Sequence, residues 1–317
     1  MVYLFVFLTL FSLTVKGYCG KKVGVFATSP DTPFLFNLVR ILLCVLIGGV
    51  MVLLDGAQSL LLAEEKMLLI CALSGISNAA FLVFWLFAIQ KNSLVTVDVT
   101  LTLGSILPAI LCALFFGEAI SLPKMIGFGL IILASFILSS YNKQTMGSHG
   151  IVGGILLFFA MLGDGMTSFS QQLYRQYYTE GGLFSTDVVY PKSVFHFYSY
   201  IFSAIALATV LAIFVTCQHK KRSETAPNFW KYTRVALAKP FPYIVVMAVC
   251  LFAGNYFQTV ATSDYGMSSQ ILYPVIKGGC LITVTFTAML FFGERPTRRS
   301  LLGSSVALVG IVLMNII

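Results

Sequence analysis

Charge is what this chain has least of. Only 10% of its 317 residues are Asp, Glu, Lys or Arg, and 58% are hydrophobic. A soluble domain carries about 25% charged residues. A surface so poor in charge could not be held in water, so a soluble globular fold is excluded and lipid is the expected solvent. The chain also lacks any CxxC pair or His-flanked cysteine cluster. Its seven cysteines, Cys19, Cys44, Cys71, Cys112, Cys217, Cys250 and Cys280, are scattered and mostly sit inside apolar runs. That excludes a disulfide framework and a zinc site, and each reads as a small buried hydrophobe. No GxxxxGK(S/T) motif occurs, so ATP is not the energy source in this chain. Neither metal nor cofactor is expected.

What charge there is has a place. The formal net charge is +8, and Lys220, Lys221, Arg222, Lys231, Arg234 and Lys239 cluster between two apolar runs. Basic loops beside membrane spans reflect insertion topology, so nucleic acid is not an expected partner. A span needs about 20 mainly apolar residues. Ten such runs occur, at 2–20, 33–54, 66–90, 93–117, 122–141, 150–173, 193–217, 240–262, 268–292 and 298–317. The two longer connections are 174–192 and 218–239. The first run has no basic n-region, and VKGYCG is no cleavage site, so it reads as a span and not as a signal peptide. The expected fold is an all-α polytopic membrane protein with ten transmembrane helices.

One pentapeptide is written twice. LFFGE stands at 114–118 and again at 290–294, a shift of 176 residues that also lays Gly127 on Gly303. The shift superposes span 4 on span 9 and span 5 on span 10. Residues 1–142 and 150–317 then form two copies of one five-helix unit. Five is odd, so the second copy enters the bilayer from the opposite face, and the two are inverted repeats. Gly127 and Ala134 in span 5, and Gly303, Ala307 and Gly310 in span 10, form small-residue stripes suited to close helix packing. Glu118 and Glu294 read as structural corners at the membrane interface.

Paired LFFGE corners, each followed by a glycine, on ten helices in two halves resemble the drug/metabolite transporter superfamily in its EamA-like form. SPDTPFLFNLVR, with Pro30 and Arg40, is similar to the approach to span 2 in that family. The resemblance covers essentially the whole chain and implies a transporter fold. One departure concerns a proline that the family often places about 13 residues before the corner glutamate. Here those positions are Ser105 and Leu281, so no helix break is carried over.

Ionisable groups within spans are functional candidates, because lipid makes them costly. Lys16, Arg40, Asp98, Asp164 and Lys277 are such groups, and His196 lies near a span start. They fall on polar stripes at helical spacing: Thr9, Ser12 and Lys16; Ser74, Asn78, Phe81 and Trp85; Asp98, Thr102 and Ser105; Asp164, Ser168, Gln171 and Arg175; Asn255, Gln258 and Thr262; and Gln270, Tyr273, Lys277 and Cys280. Such stripes must face protein or water. The cavity set expected to bind or gate a solute is Lys16, Asn78, Trp85, Asp98, Asp164, Gln171, Asn255, Gln258, Tyr273 and Lys277. Trp85, Tyr256 and Tyr273 are its expected aromatics. Counting residues from span ends puts Asp164 level with Lys277, and Lys16 level with Asp98, so two opposite-charge contacts are expected.

The leading function is a secondary transporter, exporter or exchanger, of a small organic solute by alternating access. A nucleotide-sugar or sugar-phosphate antiporter of the same superfamily is the alternative, on the strength of Lys277. An intramembrane protease is remote. MLGDG has Met161 where a GxGD protease needs glycine, and no second Tyr-Asp span exists. GISN at 75–78 has only His196 near a membrane span as partner. No enzyme is expected, and a receptor would not need an inverted repeat. Orientation has two readings. Four Lys/Arg, at Lys66, Lys124, Arg175 and Lys192, lie in loops on one side and the larger share on the other. The positive-inside rule then puts both termini outside the cytoplasm. The superfamily's usual arrangement is the reverse. The lipid bilayer, in the cell membrane, and a small solute are the expected partners; the oligomeric state, a homodimer included, is left open.

Overall fold

The computed structural model describes residues 1–27, 31–57, 63–91, 94–117, 120–146, 150–178, 189–221, 229–267, 269–293 and 297–314. Among these there is no strand. The helices are α1 (Val2–Gly24), α2 (Thr32–Leu54), α3 (Glu65–Lys91), α4 (Leu94–Leu103), α5 (Ile106–Phe116), α6 (Leu122–Met146), α7 (Gly150–Tyr178), α8 (Lys192–Lys221), α9 (Phe229–Ala238), α10 (Phe241–Ser263), α11 (Ser269–Phe292) and α12 (Arg298–Met314). Seven of them, α1, α2, α3, α7, α8, α10 and α11, are long and apolar enough to cross a bilayer. A 23-residue helix such as α1 is about 35 Å long, against a hydrocarbon core of about 30 Å. Shorter apolar stretches at Thr100–Phe116, Leu122–Ala134 and Leu301–Leu313 fall in the remaining runs.

The distribution of polarity is that of a protein dissolved in lipid. Leu114, Leu290 and Phe136 are 75%, 76% and 71% exposed, while Arg40, Asn78, Gln171, Gln172 and Thr259 are buried. In water this arrangement would be inside out. The protein is therefore an all-α, multi-pass integral membrane protein.

Helix ends follow from local chemistry. Glu65 opens α3 and Lys91 closes it, each charge complementing its end of the helix dipole. The glycines of the two LFFGE segments share one conformation: Gly117 and Gly293, just past α5 and α11, have φ of +68° and +65°. That left-handed geometry ends a helix and suits glycine, which has no Cβ to clash. Glu118 and Glu294 lie outside the described residues.

Packing runs in pairs. α3 lies along α7 and α8, α10 along α1 and α2, α6 along α12, α2 against α8 and α4 against α11. Glycines permit the closest approaches. A Cβ on Gly163 of α7 would stand 2.7 Å from the Phe81 backbone nitrogen and 2.9 Å from the Ser77 carbonyl oxygen of α3. A Cβ on Gly310 of α12 would stand 2.8 Å from the Gly127 carbonyl of α6.

Two expectations are corrected. The run at 93–117 is not one helix: it breaks between α4 and α5 at Gly104 and Ser105, where Gly104 N–H bonds back to the Leu101 carbonyl and Ser105 N–H to that of Thr102. The Ser105 Oγ also donates to Thr102 O at 2.7 Å. The helix is thus interrupted at the very position where family resemblance would place a proline, whereas α11 runs unbroken through Leu281. The physical reason is Pro108, which has no N–H to return to the Gly104 carbonyl four residues back and whose ring crowds that carbonyl; the freed carbonyl lies against α7, 2.7 Å from where a Cβ on Gly165 would stand. Second, the connection at 218–239 is not all loop, since α8 extends to Lys221 and α9 occupies Phe229–Ala238.

Gly163→Val is expected to lower stability by about 2 kcal/mol or more, because backbone atoms and not a flexible side chain stand in the way. Gly154→Val, at a position with open space around its Cβ, is expected to change it by less than about 0.5 kcal/mol. Thermal unfolding of the two purified variants in one detergent measures the contrast.

Candidate functional site

Most hydroxyls on the polar stripes are consumed locally. Thr9 donates to Phe5 O, Thr102 to Asp98 O and Thr262 to Thr259 O, each about one turn back in its own helix. Thr14 and Thr283, 2.6 Å apart, join α1 to α11. The charged and amide groups are thereby left to define the interior.

Those groups surround two adjoining chambers of about 30 and 20 Å³. A space of about 10–15 Å³ holds one water, so each chamber has room for one or two and not for a solute. Gly17, Trp85, Val97 and Asp98 line the first; Asn78, Ser168, Gln171, Asn255 and Gln258 line the second. Leu13, Lys16, Phe81, Asp164 and Lys277 line both and so stand at the partition. Contributions come from α1, α3, α4, α7, α10 and α11.

At that partition the expected contact between Asp164 and Lys277 is formed. Lys277 Nζ donates to Asp164 Oδ2 at 2.5 Å, and the side chains are 12% and 15% exposed. The break after α4 helps to place it: the Cβ site of Gly104 is 3.2 Å from the same carboxylate oxygen. About one turn along α11, the Tyr273 hydroxyl donates to Ser168 O at 2.9 Å, lies 3.2 Å from Gln171 Oε1 and accepts from Gln172 Nε2 at 3.3 Å. Two polar links one turn apart therefore fasten α11 to α7.

Lys16 and Asp98 line the same first chamber, but no salt bridge joins them among the described residues. The Lys16 ammonium lies instead 5.0 Å from the Phe81 ring centroid and 5.5 Å from that of Trp85. The geometry is cation–π, favoured here because α3 turns both rings, four residues apart, towards α1. Asp98 Oδ2 is buried without a hydrogen-bond donor.

Other expected residues are placed as follows. Asn78 Nδ2 donates to Ser203 Oγ at 3.2 Å, and that hydroxyl donates to Gly75 O, tying α3 to α8. Asn255 Nδ2 donates to the Tyr200 hydroxyl at 3.1 Å. Tyr273 lines neither chamber; it is a buried hydrogen-bonding post, because its hydroxyl reaches the α7 backbone. Tyr256 lines neither as well and stacks on Phe252, with centroids 5.9 Å apart. His196 is buried in that aromatic cluster with Nε2 3.0 Å from Thr259 Oγ1.

Reasoning from sequence places Arg40 among the charged candidates but not in the cavity set, and its surroundings are unusual. It is 1% exposed, its guanidinium is 5.7 Å from the Trp85 ring centroid, and Nε, Nη1 and Nη2 all lack a hydrogen-bond acceptor among the described residues. One turn away, Asn37 Nδ2 donates to Leu82 O at 3.0 Å, which clamps α2 to α3 and sets the register of Arg40 on Trp85. An unpaired buried ion costs several kcal/mol, of which a cation–π contact offsets about 0.5–2 kcal/mol. Only the packing of α2 on α3 could reveal the pairing.

Asp164→Asn and Lys277→Met are each expected to destabilise by about 3–5 kcal/mol, since each leaves a charge buried alone. The double variant should lose less than the sum of the two. Unfolding in detergent measures the cycle, and strict additivity would show that the pair contributes nothing.

In comparison with known proteins, no family model matches the chain and no curated protein is significantly similar to it.

Proposed function

We propose that the protein is a secondary transporter that carries a small organic solute by alternating access. In this reading ten spans form two inverted halves, residues 1–142 and 150–317, in the manner of the drug/metabolite transporters that the sequence resembles. The packing supports the symmetry. Let α1, α2, α3, α4 with α5, and α6 exchange with α7, α8, α10, α11 and α12. The pair α3–α7 then becomes α10–α1, α3–α8 becomes α10–α2, and α6–α12, α2–α8 and α4–α11 map onto themselves. Of the four left-handed glycines, Gly117 and Gly293 are equivalent under the same exchange, while Gly56 and Gly266 follow α2 and α10, which it does not pair.

The observation that carries the reading is the partition between the chambers. Residues from both halves line each chamber, and the Asp164–Lys277 pair stands between them with Phe81 and Lys16. A pair that joins α7 to α11 and faces both chambers can gate them: parting it would merge two water-sized spaces into one path. Both residues belong to the second half, 150–317, so the pair parts by a shift of α11 against α7 within that half, alongside the rocking of the halves that inverted repeats use.

The test begins with a thermal-shift panel of amino acids, sugar phosphates, nucleotide sugars, polyamines and organic cations on the detergent-purified protein. A ligand at 100 times its Kd stabilises by about 2.7 kcal/mol. One class is expected to raise the melting temperature and to drive counterflow into proteoliposomes. Both effects should vanish in the Asp164→Asn, Lys277→Met double variant. A cooperative melt that no class shifts, with no counterflow, would count against transport.

A further inference from the structure

Within the predicted spans and away from their end turns the sequence holds three cations, Lys16, Arg40 and Lys277, and two carboxylates, Asp98 and Asp164. Lys277 and Asp164 neutralise each other. Lys16 and Arg40 are left with Asp98, which forms a salt bridge to neither among the described residues. Both cations are more than nine-tenths buried, at 8% and 1% exposure, and both lie against the indole of Trp85. That indole lines the first chamber and rests on α1 at Gly20, where a Cβ would collide with its six-membered ring. The guanidinium nitrogens lack acceptors among the described residues, and they lie against an indole that lines a chamber already lined by an ammonium.

We propose that Arg40, Lys16 and Trp85 form an anion subsite of the cavity, which takes the carboxylate or phosphate group of the carried solute. This rests on the transporter reading and narrows it to small organic anions. Arg40 provides a planar fork of donors that matches two oxygens of such a group, and Lys16 provides a point charge from the chamber side. The Trp85 ring centroid lies 5.5 Å from the Lys16 ammonium and 5.7 Å from the Arg40 guanidinium, so its environment reports occupancy.

The chain has two tryptophans, Trp85 and Trp230, so Trp230→Phe makes Trp85 the sole emitter. This variant in detergent is titrated at constant ionic strength with inorganic phosphate, citrate and glucose 6-phosphate, and with glucose and choline as neutral and cationic counterparts. At least one anion is expected to change Trp85 emission saturably, while glucose and choline do not. Arg40→Gln and Lys16→Gln, in the same background, should each weaken that Kd at least tenfold. Arg40→Lys should recover part of the loss. No response to any anion, an equal response to choline, or an unchanged Kd in Arg40→Gln would overturn the assignment. If Arg40→Gln does not give a cooperative melt, Arg40→Lys decides, because it keeps the charge and loses the fork; an unchanged Kd there also overturns it. Nanodiscs of phosphatidylcholine with and without phosphatidylglycerol separate the two sources of phosphate. If phosphatidylglycerol alone shifts the emission and abolishes the response to soluble anions, the ligand is a lipid headgroup and the solute assignment falls. Binding is read without flux, so its failure and the failure of transport are separate results.

Discussion

Hydrocarbon cannot solvate a charge, and the arrangement of this molecule follows from that. Each ionic or amide side chain on a long helix must meet protein, another polar group or an enclosed water. The helices therefore turn Lys16, Arg40, Asn78, Asp164, Gln171 and Lys277 inwards and present Leu, Ile and Phe to the outside. In a soluble protein the apolar side chains would drive assembly. Here lipid accepts them as readily as protein does, so helix association depends on close contact and on the few polar links that span helices. The Asp164–Lys277 pair, the Tyr273 post and the Asn37–Leu82 clamp are such links.

Close contact in turn depends on missing side chains. Gly163 against Phe81, Gly165 against Gly104 and Gly310 against Gly127 bring backbones near enough that a methyl group would not fit. The second of these has a chemical result. Where α4 gives way to α5, the chain passes beside Asp164, so a carboxylate that needs a neighbour meets backbone on one side and an ammonium on the other.

Much of this was legible in the amino-acid order. Scarcity of charge and ten apolar runs pointed to an all-helical membrane protein, and the doubled LFFGE pointed to two matching corners whose glycines share one backbone conformation. Counting residues from span ends was enough to level Asp164 with Lys277, because a helix converts position into depth at a constant rise. The same count levelled Lys16 with Asp98 but could not foresee that two aromatic rings on α3 would hold the ammonium. Depth is one coordinate; which faces meet is another, and it is set by packing. The break at Gly104 and Ser105 did have a signal, Pro108, which leaves the Gly104 carbonyl four residues back without an N–H, but that the freed carbonyl meets α7 is set by packing. Arg40 on Trp85 and the isolation of Tyr273 from both chambers belong to the same class of facts.

The pairing of Asp164 with Lys277 also has a consequence for biogenesis. The two residues are 113 positions apart, and chains are synthesised at about 5–20 residues per second. For roughly 6–23 s after α7 emerges from the ribosome, its carboxylate lacks the Lys277 ammonium. α3 and the glycine-lined α4–α5 junction, against which α7 packs in the folded chain, precede it in synthesis. The contact that closes the partition in the finished molecule is thus among the last to form. The preceding helices serve as a waiting room for an acid whose base has yet to be translated.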